Sequence, residues 1–377
     1  MPASLIISRA VLILILVTGT FFLVPGNAAN DRGPTQSSAI RSSLNWLVSN
    51  EKSDGSYGGS QISTPPAALA VWLNDSHSVK ALASFSWLAS QLDDSSSFAW
   101  GEADIPGQIL YTLSASGNVG LLRNSSDFSG LLSYQQHNGG FKGWYDTSGA
   151  QTTSSIDTAM ALLGLAGTHA ISASKEQDAI AYLLSLQNLD GSFNLTQTEA
   201  TNHYETLGPE SISATALAVL VLKGASYNAS DIHVASALSF LTSVSSSNFT
   251  ATHDNQGHVY AASLSALAFD AFGRPAQAEV AIAFILSQQN SDGGFRDIGR
   301  LSSGSNALDT GWTAIALEKV QPGPLFSSFL SPLVFVGVII LVGVVVVVGV
   351  VTVYVLLRRR TAKSTLSSGI TLTISTH

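Results

Sequence analysis

Three groups of residues in this chain have the types and spacing that chemistry requires. His203, Glu205 and Glu210 place an imidazole and two carboxylates in one short stretch, a set suited to acid–base work or to a hard cation. His253, Asp254 and His258 put two imidazoles and a carboxylate in a glycine-containing loop, part of a zinc set without an identified further ligand. Trp144, Tyr145 and Tyr204 offer aromatic faces to a sugar or a lipid. Each group has a plainer alternative: solvated loop polars for the first two, ordinary packing for the aromatics. No cofactor is expected, a divalent metal being the open option. The absence of cysteine removes disulfides, thiolate nucleophiles, Cys-ligated zinc and iron–sulfur clusters.

The elements that position these residues form a repeat. An aromatic residue is followed eleven positions later by another, beyond a turn, in Trp46 to Tyr57, Trp87 to Phe98, Tyr182 to Phe193 and Phe284 to Phe295. A copy from Leu131 to Phe141 is one residue shorter, and another begins at Phe240 without its glycine turn. Each copy is an apolar helical pattern that stops at an Asp-Gly or Asn-Gly turn, as in Asp190-Gly191 and Asp292-Gly293. A second, Ala- and Leu-rich helix follows, over 65–73, 106–113, 157–165, 213–222, 260–269 and 309–317. Asp157 and Asp309 stand at such starts and read as helix caps. Six helical hairpins result, and no strand is predicted. The first helices are amphipathic and the second apolar nearly all round, which predicts an outer ring around a buried inner one. Uneven repeat lengths and missing polar caps favour closure over an open solenoid. The fold class is all-α: an α6/α6 toroid plus a C-terminal transmembrane helix. The longest segments entering the second helices, 142–156, 194–212 and 250–259, carry the three residue groups, and long loops on a rigid ring are where function concentrates.

The pattern aromatic-Leu-x-x-x-Gln-x-x-x-Gly-x-aromatic, with helix starts such as Asp157-Thr158-Ala159 and Asp309-Thr310-Gly311-Trp312, resembles the prenyltransferase and squalene oxidase repeat, the QW motif of terpenoid cyclases. The resemblance covers Ala39 to Val320 and implies an α/α toroid of six hairpins. It also implies that Gln136, Gln187 and Gln289 tie the aromatic turns and outer helices together, Asp190 and Asp292 belonging to the same turns. Glu51 replaces the glutamine in the first copy. The Asp-x-Asp-Asp acid of squalene–hopene-type cyclases is missing, Asp93-Asp94 at an outer-helix turn being the nearest pair. The Cys-containing zinc set of the protein prenyltransferases and the thioester Cys of complement-type relatives are missing too.

The ends set the expected topology. Arg9, the apolar run Ala10–Val24 and the small residues before Ala29 read as a signal peptide over 1–28, a retained anchor being the other reading. A body over 29–322 follows. Leu333–Leu357 is uncharged and long enough to span a bilayer, placing a transmembrane helix at 331–357. Arg358, Arg359, Arg360 and Lys363 then put the tail, 358–377, in the cytoplasm. Sequons at Asn74, Asn124, Asn194, Asn228 and Asn248 fit an exported, glycosylated body. That body sets 12 basic residues against all 25 acidic ones, which excludes a general nucleic-acid binder. The expected protein is a single-pass plasma-membrane protein, its body outside, acting as a non-catalytic module for an extracellular ligand or protein. The alternative is an extracytoplasmic enzyme, terpenoid-type or carbohydrate-active, working at the barrel mouth.

Overall fold

The computed structural model describes residues 35–94, 98–123, 126–145, 150–197, 209–250, 257–297 and 304–320. The predicted signal peptide, membrane segment and tail lie outside them. No helix among the described residues is long and apolar enough to cross a membrane.

Among the described residues, twelve α-helices alternate between two rings. The outer ones are α1 (Gln36–Asn50), α3 (Val79–Asp93), α5 (Ser126–Leu132), α7 (Ala173–Ser185), α9 (Ile232–Ser246) and α11 (Pro275–Ser287). The inner ones are α2 (Thr64–Asn74), α4 (Asp104–Ala115), α6 (Ser155–Thr168), α8 (Pro209–Gly224), α10 (Val259–Ala271) and α12 (Ala307–Lys319). Each inner helix packs on the next, and α12 packs on α2, so the inner ring is closed. Gln36 Nε2 donates to Leu317 O and Val320 O at 2.7 and 2.8 Å, and Trp46 Nε1 to Asp292 Oδ2 at 3.0 Å, stitching the two ends of the body together. The inner helices run parallel. Asp104 N reaches Asp157 Oδ1 at the start of α4 and α6, and Ser114 Oγ reaches Gly167 O at their ends.

The repeat motif has a mechanical meaning. Gln135, Gln187 and Gln289 each donate to the turn carbonyl four residues on and to a carbonyl near the start of the next outer helix, those of Lys175, His233 and Ala39. In the third copy the stitching residue is therefore Gln135, not Gln136, whose amide bonds Tyr134 O. The copy is one residue short, which moves the role back by one. Glu51 has no N–H to give a carbonyl, and it meets the Lys80 ammonium at 3.3 Å instead, at the equivalent point of α3. Inward of each turn, the N–H of Tyr57, Phe141, Phe193 or Phe295 donates to Thr64, Thr158, Thr215 or Thr310 in the N-terminal half of the inner helix. The three Phe rings are fully buried, each worth about 2–3 kcal/mol of burial.

Tyr57 departs from them by its hydroxyl, which is buried with no hydrogen-bond partner. Burial, with the Glu51 carboxylate beside it, pushes its phenol pKa up. Tyr57→Phe is expected to stabilise the fold by about 1 kcal/mol, read as a higher denaturant midpoint. A lower midpoint would mean that the hydroxyl is satisfied in solution.

The body is not wholly helical. β1 (Phe141–Tyr145) pairs antiparallel with β2 (Gln151–Ser154), contrary to the expectation of no strand. Lys142 O accepts from Ala103 N, and Gln151 Nε2 donates to Gly101 O at 2.6 Å. The ribbon is thus fastened to the segment entering α4. These tertiary bonds hold extended a stretch whose alternation is too short to signal a strand.

Candidate functional site

The shared threonines give the inner helices a common register. Gln108 and Tyr111 of α4 both meet Trp312 of α12, although α2 lies between those helices, so the contact runs across the inside of the ring. Tyr111 and Trp312 stack with centroids 6.3 Å apart, and with its amide oriented to suit, Gln108 accepts from Trp312 Nε1 at 3.0 Å. Trp312 lies two residues after Thr310, and Gly107 abuts Met160–Ala161 as Gly311 abuts Pro66–Ala67, which carries one register around to α4 and α6. Three layers follow at i, i+4 and i+7, one face of each helix.

The mouth layer, at the helix N-termini, holds Ile62, Asp104, Ile156, Tyr260 and Leu308, all half-buried, together with buried Ser213. The middle layer is Pro66, Gln108, Met160, Leu217, Leu264 and Trp312, all buried. The far layer holds half-buried Tyr111, Leu163, Leu220 and Leu267 with buried Leu69 and Ile315. Among the described residues the barrel is therefore packed at its waist, with partly exposed side chains in the mouth layer above that floor and in the far layer below it. Among the described residues, the carboxyl in the mouth layer is that of Asp104.

Asp104 Oδ1 is buried and has no hydrogen-bond partner. Its carboxyl is pushed up to about 8, first by burial and then by the Asp157 and Glu102 carboxylates. Burial also raises Glu102. The positive end of a helix ordinarily favours an ionised carboxyl at its first residue, so desolvation and like charge outweigh the dipole here. Asp157 is not itself the cap of α6. Ser154 caps it, taking Asp157 N at 3.0 Å, while Ser154 Oγ donates to Asp157 Oδ2 at 2.6 Å. Its Oδ1 accepts from Asp104 N at 3.1 Å. Gly143 lets β1 press onto this pair, since a Cβ there would lie 2.0 Å from Asp157 Oδ1. The β1–β2 register shifts at that residue, as at a bulge.

The opposite side of the mouth is held by a second buried network. His258 Nδ1 lies 2.6 Å from Asp297 Oδ1, Asp297 Oδ2 accepts from Tyr260 N at 3.0 Å, and Asp297 N donates to Asp309 Oδ2 at 2.7 Å. Asp309 repeats the arrangement of Asp157, with Asn306 as the cap of α12. Both aspartates thus join neighbouring segments as well as closing their own helices, more than the capping role expected of them.

The other predicted site residues divide clearly. His203, Tyr204, Glu205, His253 and Asp254 lie outside the described residues, as does Asn124. Trp144 and Tyr145 fall on β1 and Glu210 on α8, but their side chains lie outside the description. His258 is 2% exposed with one ring nitrogen turned to Asp297. Among the described residues no cluster of three His, Cys, Asp or Glu suits a metal. Asn74, Asn228 and Asn248 are exposed. Asn194 is a correction: it is 4% exposed and exchanges two hydrogen bonds with Asn188, so a glycan there is incompatible with the fold. Asp104 and Glu102 were not anticipated. The available signal was the stripe Asp104, Gln108, Tyr111, polar at i, i+4 and i+7 on a helix whose other polar side chains are Thr112 and Ser114.

The profile of the prenyltransferase alpha-alpha toroid domain matches residues 108–206 and 200–307. Among solved structures, a protein from Actinoplanes is 17% identical with a TM-score of 0.57, over 76% of this chain and 99% of that one. The type II terpene cyclase MstE from Scytonema is 13% identical in two of its structures. A variant with geranylgeranyl dihydroxybenzoate has a TM-score of 0.56, over 76% of this chain and 97% of that one. The apo form has a TM-score of 0.55, over 75% and 98%. These likenesses are of fold. No curated protein matches the chain.

Proposed function

Because the chain belongs to the prenyltransferase alpha-alpha toroid family, we propose that it uses this scaffold as a non-catalytic binding module, taking a small apolar ligand in the cup at the N-terminal mouth. The observation that supports this is the burial pattern, with five half-buried mouth residues above a waist that is sealed. An apolar, water-accessible concavity with one convergent polar group is the ordinary form of a small-molecule site. The acidic body, the sequons at exposed Asn74, Asn228 and Asn248, and the apolar segment 331–357 support a reading in which the module lies outside a cell, anchored in the plasma membrane with its tail inside.

Native mass spectrometry of the full chain extracted from its own membrane is expected to show a retained small molecule. Leu308→Trp, which fills the cup, is expected to lose it while melting within a few degrees of the wild type. Bare polypeptide and glycan masses for both chains would overturn the reading.

One observation favours an extracytoplasmic enzyme instead: burial and the neighbouring carboxylates push the Asp104 carboxyl up to about 8, toward the protonated form that a general acid uses. On that reading Asp104→Asn abolishes turnover of the retained molecule without releasing it. On the binding reading the wild type returns the molecule unchanged after prolonged incubation.

A further inference from the structure

We propose that the ligand of the mouth cup is a small apolar molecule bearing a hydroxyl group, the hydroxyl placed against the Asp104 carboxyl and the apolar part on Ile62, Ile156, Tyr260 and Leu308. This rests on the cup being a binding site and adds the chemical class of what it holds.

Asp104 is incompletely satisfied: its Oδ1 is buried and has no hydrogen-bond partner. It heads the stripe whose next members, Gln108 and Tyr111, meet Trp312 across the interior, so it stands on the face turned to the cup. Gln108 does not serve a ligand in its place. With its amide oriented to suit, Gln108 donates to Ile62 O at 3.3 Å and accepts from Trp312 Nε1 at 3.0 Å. A ligand in the mouth layer therefore finds an unmet hydrogen-bonding atom at Asp104, above a floor that is packed.

The chemistry of a carboxyl selects the group that meets it. An ionised Asp104 only accepts hydrogen bonds, whereas a protonated one also donates. Ethers and carbonyls only accept, so they fit one of those two states. A hydroxyl donates and accepts through a single uncharged atom and fits both. The choice therefore does not depend on the charges that other segments bring to the mouth. The lining is apolar: Ile62, Ile156 and Leu308 are half-buried, and Tyr260 adds a half-buried ring. Such a wall takes a hydrocarbon body and leaves one polar point to orient it.

The size of the effect follows from what is exchanged. A hydroxyl entering the cup leaves its hydrogen bonds with water behind, so only the net bond counts. A net bond to a buried, otherwise unmet atom is worth about five- to tenfold in affinity. A methyl group in place of the hydroxyl gains more from an apolar wall but leaves Oδ1 unmet. Toluene and phenol differ by that exchange alone, so the order in which they bind reports on Asp104.

The experiment is calorimetric titration of the full chain in lipid nanodiscs with phenol and with toluene near neutral pH, empty discs serving as the blank, alongside Asp104→Leu, Asp104→Asn and Leu308→Trp. Phenol is expected to bind about five- to tenfold tighter than toluene. Asp104→Leu, close in size and without a polar atom, is expected to reverse that order while still binding toluene, with Asp104→Ala taking its place if the larger apolar side chain does not fold. Asp104→Asn, which keeps a donor and an acceptor, is expected to retain the preference for phenol. Toluene binding as tightly as phenol, a phenol preference that survives Asp104→Leu, or a preference lost in Asp104→Asn while toluene still binds would overturn the proposal and leave the cup reading standing. Binding of neither compound, or binding unchanged by Leu308→Trp, would overturn both.

Discussion

Gly191→Ala is expected to destabilise the body by about 3–5 kcal/mol, enough to threaten folding of a domain of ordinary stability. Gly191 closes the fourth outer turn at φ +93°, a conformation that a residue with a Cβ avoids. A methyl group there would also lie 2.1 Å from Ser236 O, on the backbone of α9, which cannot yield as a side-chain tip does. The turn sits against the next outer helix because Gln187 holds it there, so relaxation would break that stitch as well. Gly58→Ala is the internal comparison. It has φ +69° but open space around it, and about 1 kcal/mol of backbone strain is expected alone. Denaturant unfolding of the two variants checks this, and equal losses would show that the close approach to α9 is unimportant.

The second large effect is a change in how stability depends on pH. Asp104 holds its proton up to about pH 8 in the folded body, against about 3.9 in an unfolded chain. The native state thus binds a proton that the unfolded state has released. The stabilisation is fully present below about pH 4 and is lost as pH rises through about 8. Between those limits this group lowers stability by about 1.4 kcal/mol per pH unit. Asp104→Asn removes the term. The variant is expected to match the wild type near pH 4 and to exceed it at pH 8 by a margin on the order of 4–5 kcal/mol. Glu318, pushed up to about 7 by burial at the far end of α12, adds a slope of the same sign in both proteins and cancels in the difference. Urea midpoints of the two chains across pH 4–8 give the answer, and parallel curves would place Asp104 in water, ionised. A variant that is more stable than the wild type at neutral pH would mark Asp104 as a residue retained at the expense of the fold, as binding groups are.

How far the sequence reaches can be followed through single residues. The aromatic pair at Tyr182 and Phe193, with Gln187 and the Asp190-Gly191 turn between them, encodes a local turn and its contact with the next hairpin within a dozen positions. Local chemistry of that kind is written in residue type and spacing, which is why the six hairpins, the buried inner helices and the closed ring were legible. The third copy shows the limit. Gln135 and Gln136 are adjacent and chemically identical, and which of them turns toward Lys175 depends on a helix that ends one residue early. The ribbon of β1 and β2 was missed for a related reason, being held extended by Ala103 and Gly101, some forty residues upstream.

The sequence by itself determined the toroid, because the repeat places an apolar face and a turn at each spacing, and without polar capping repeats the two end faces are buried by closing on each other. Only the tertiary structure decided that Asn194 is sealed against Asn188, that the waist is filled by Trp312, Gln108 and Met160, and that Asp104 stands buried beside Asp157. Those facts depend on side chains from helices far apart in the chain meeting inside a closed ring, and burial, the quantity that moves the Asp104 proton, is a property of that meeting rather than of any residue in it.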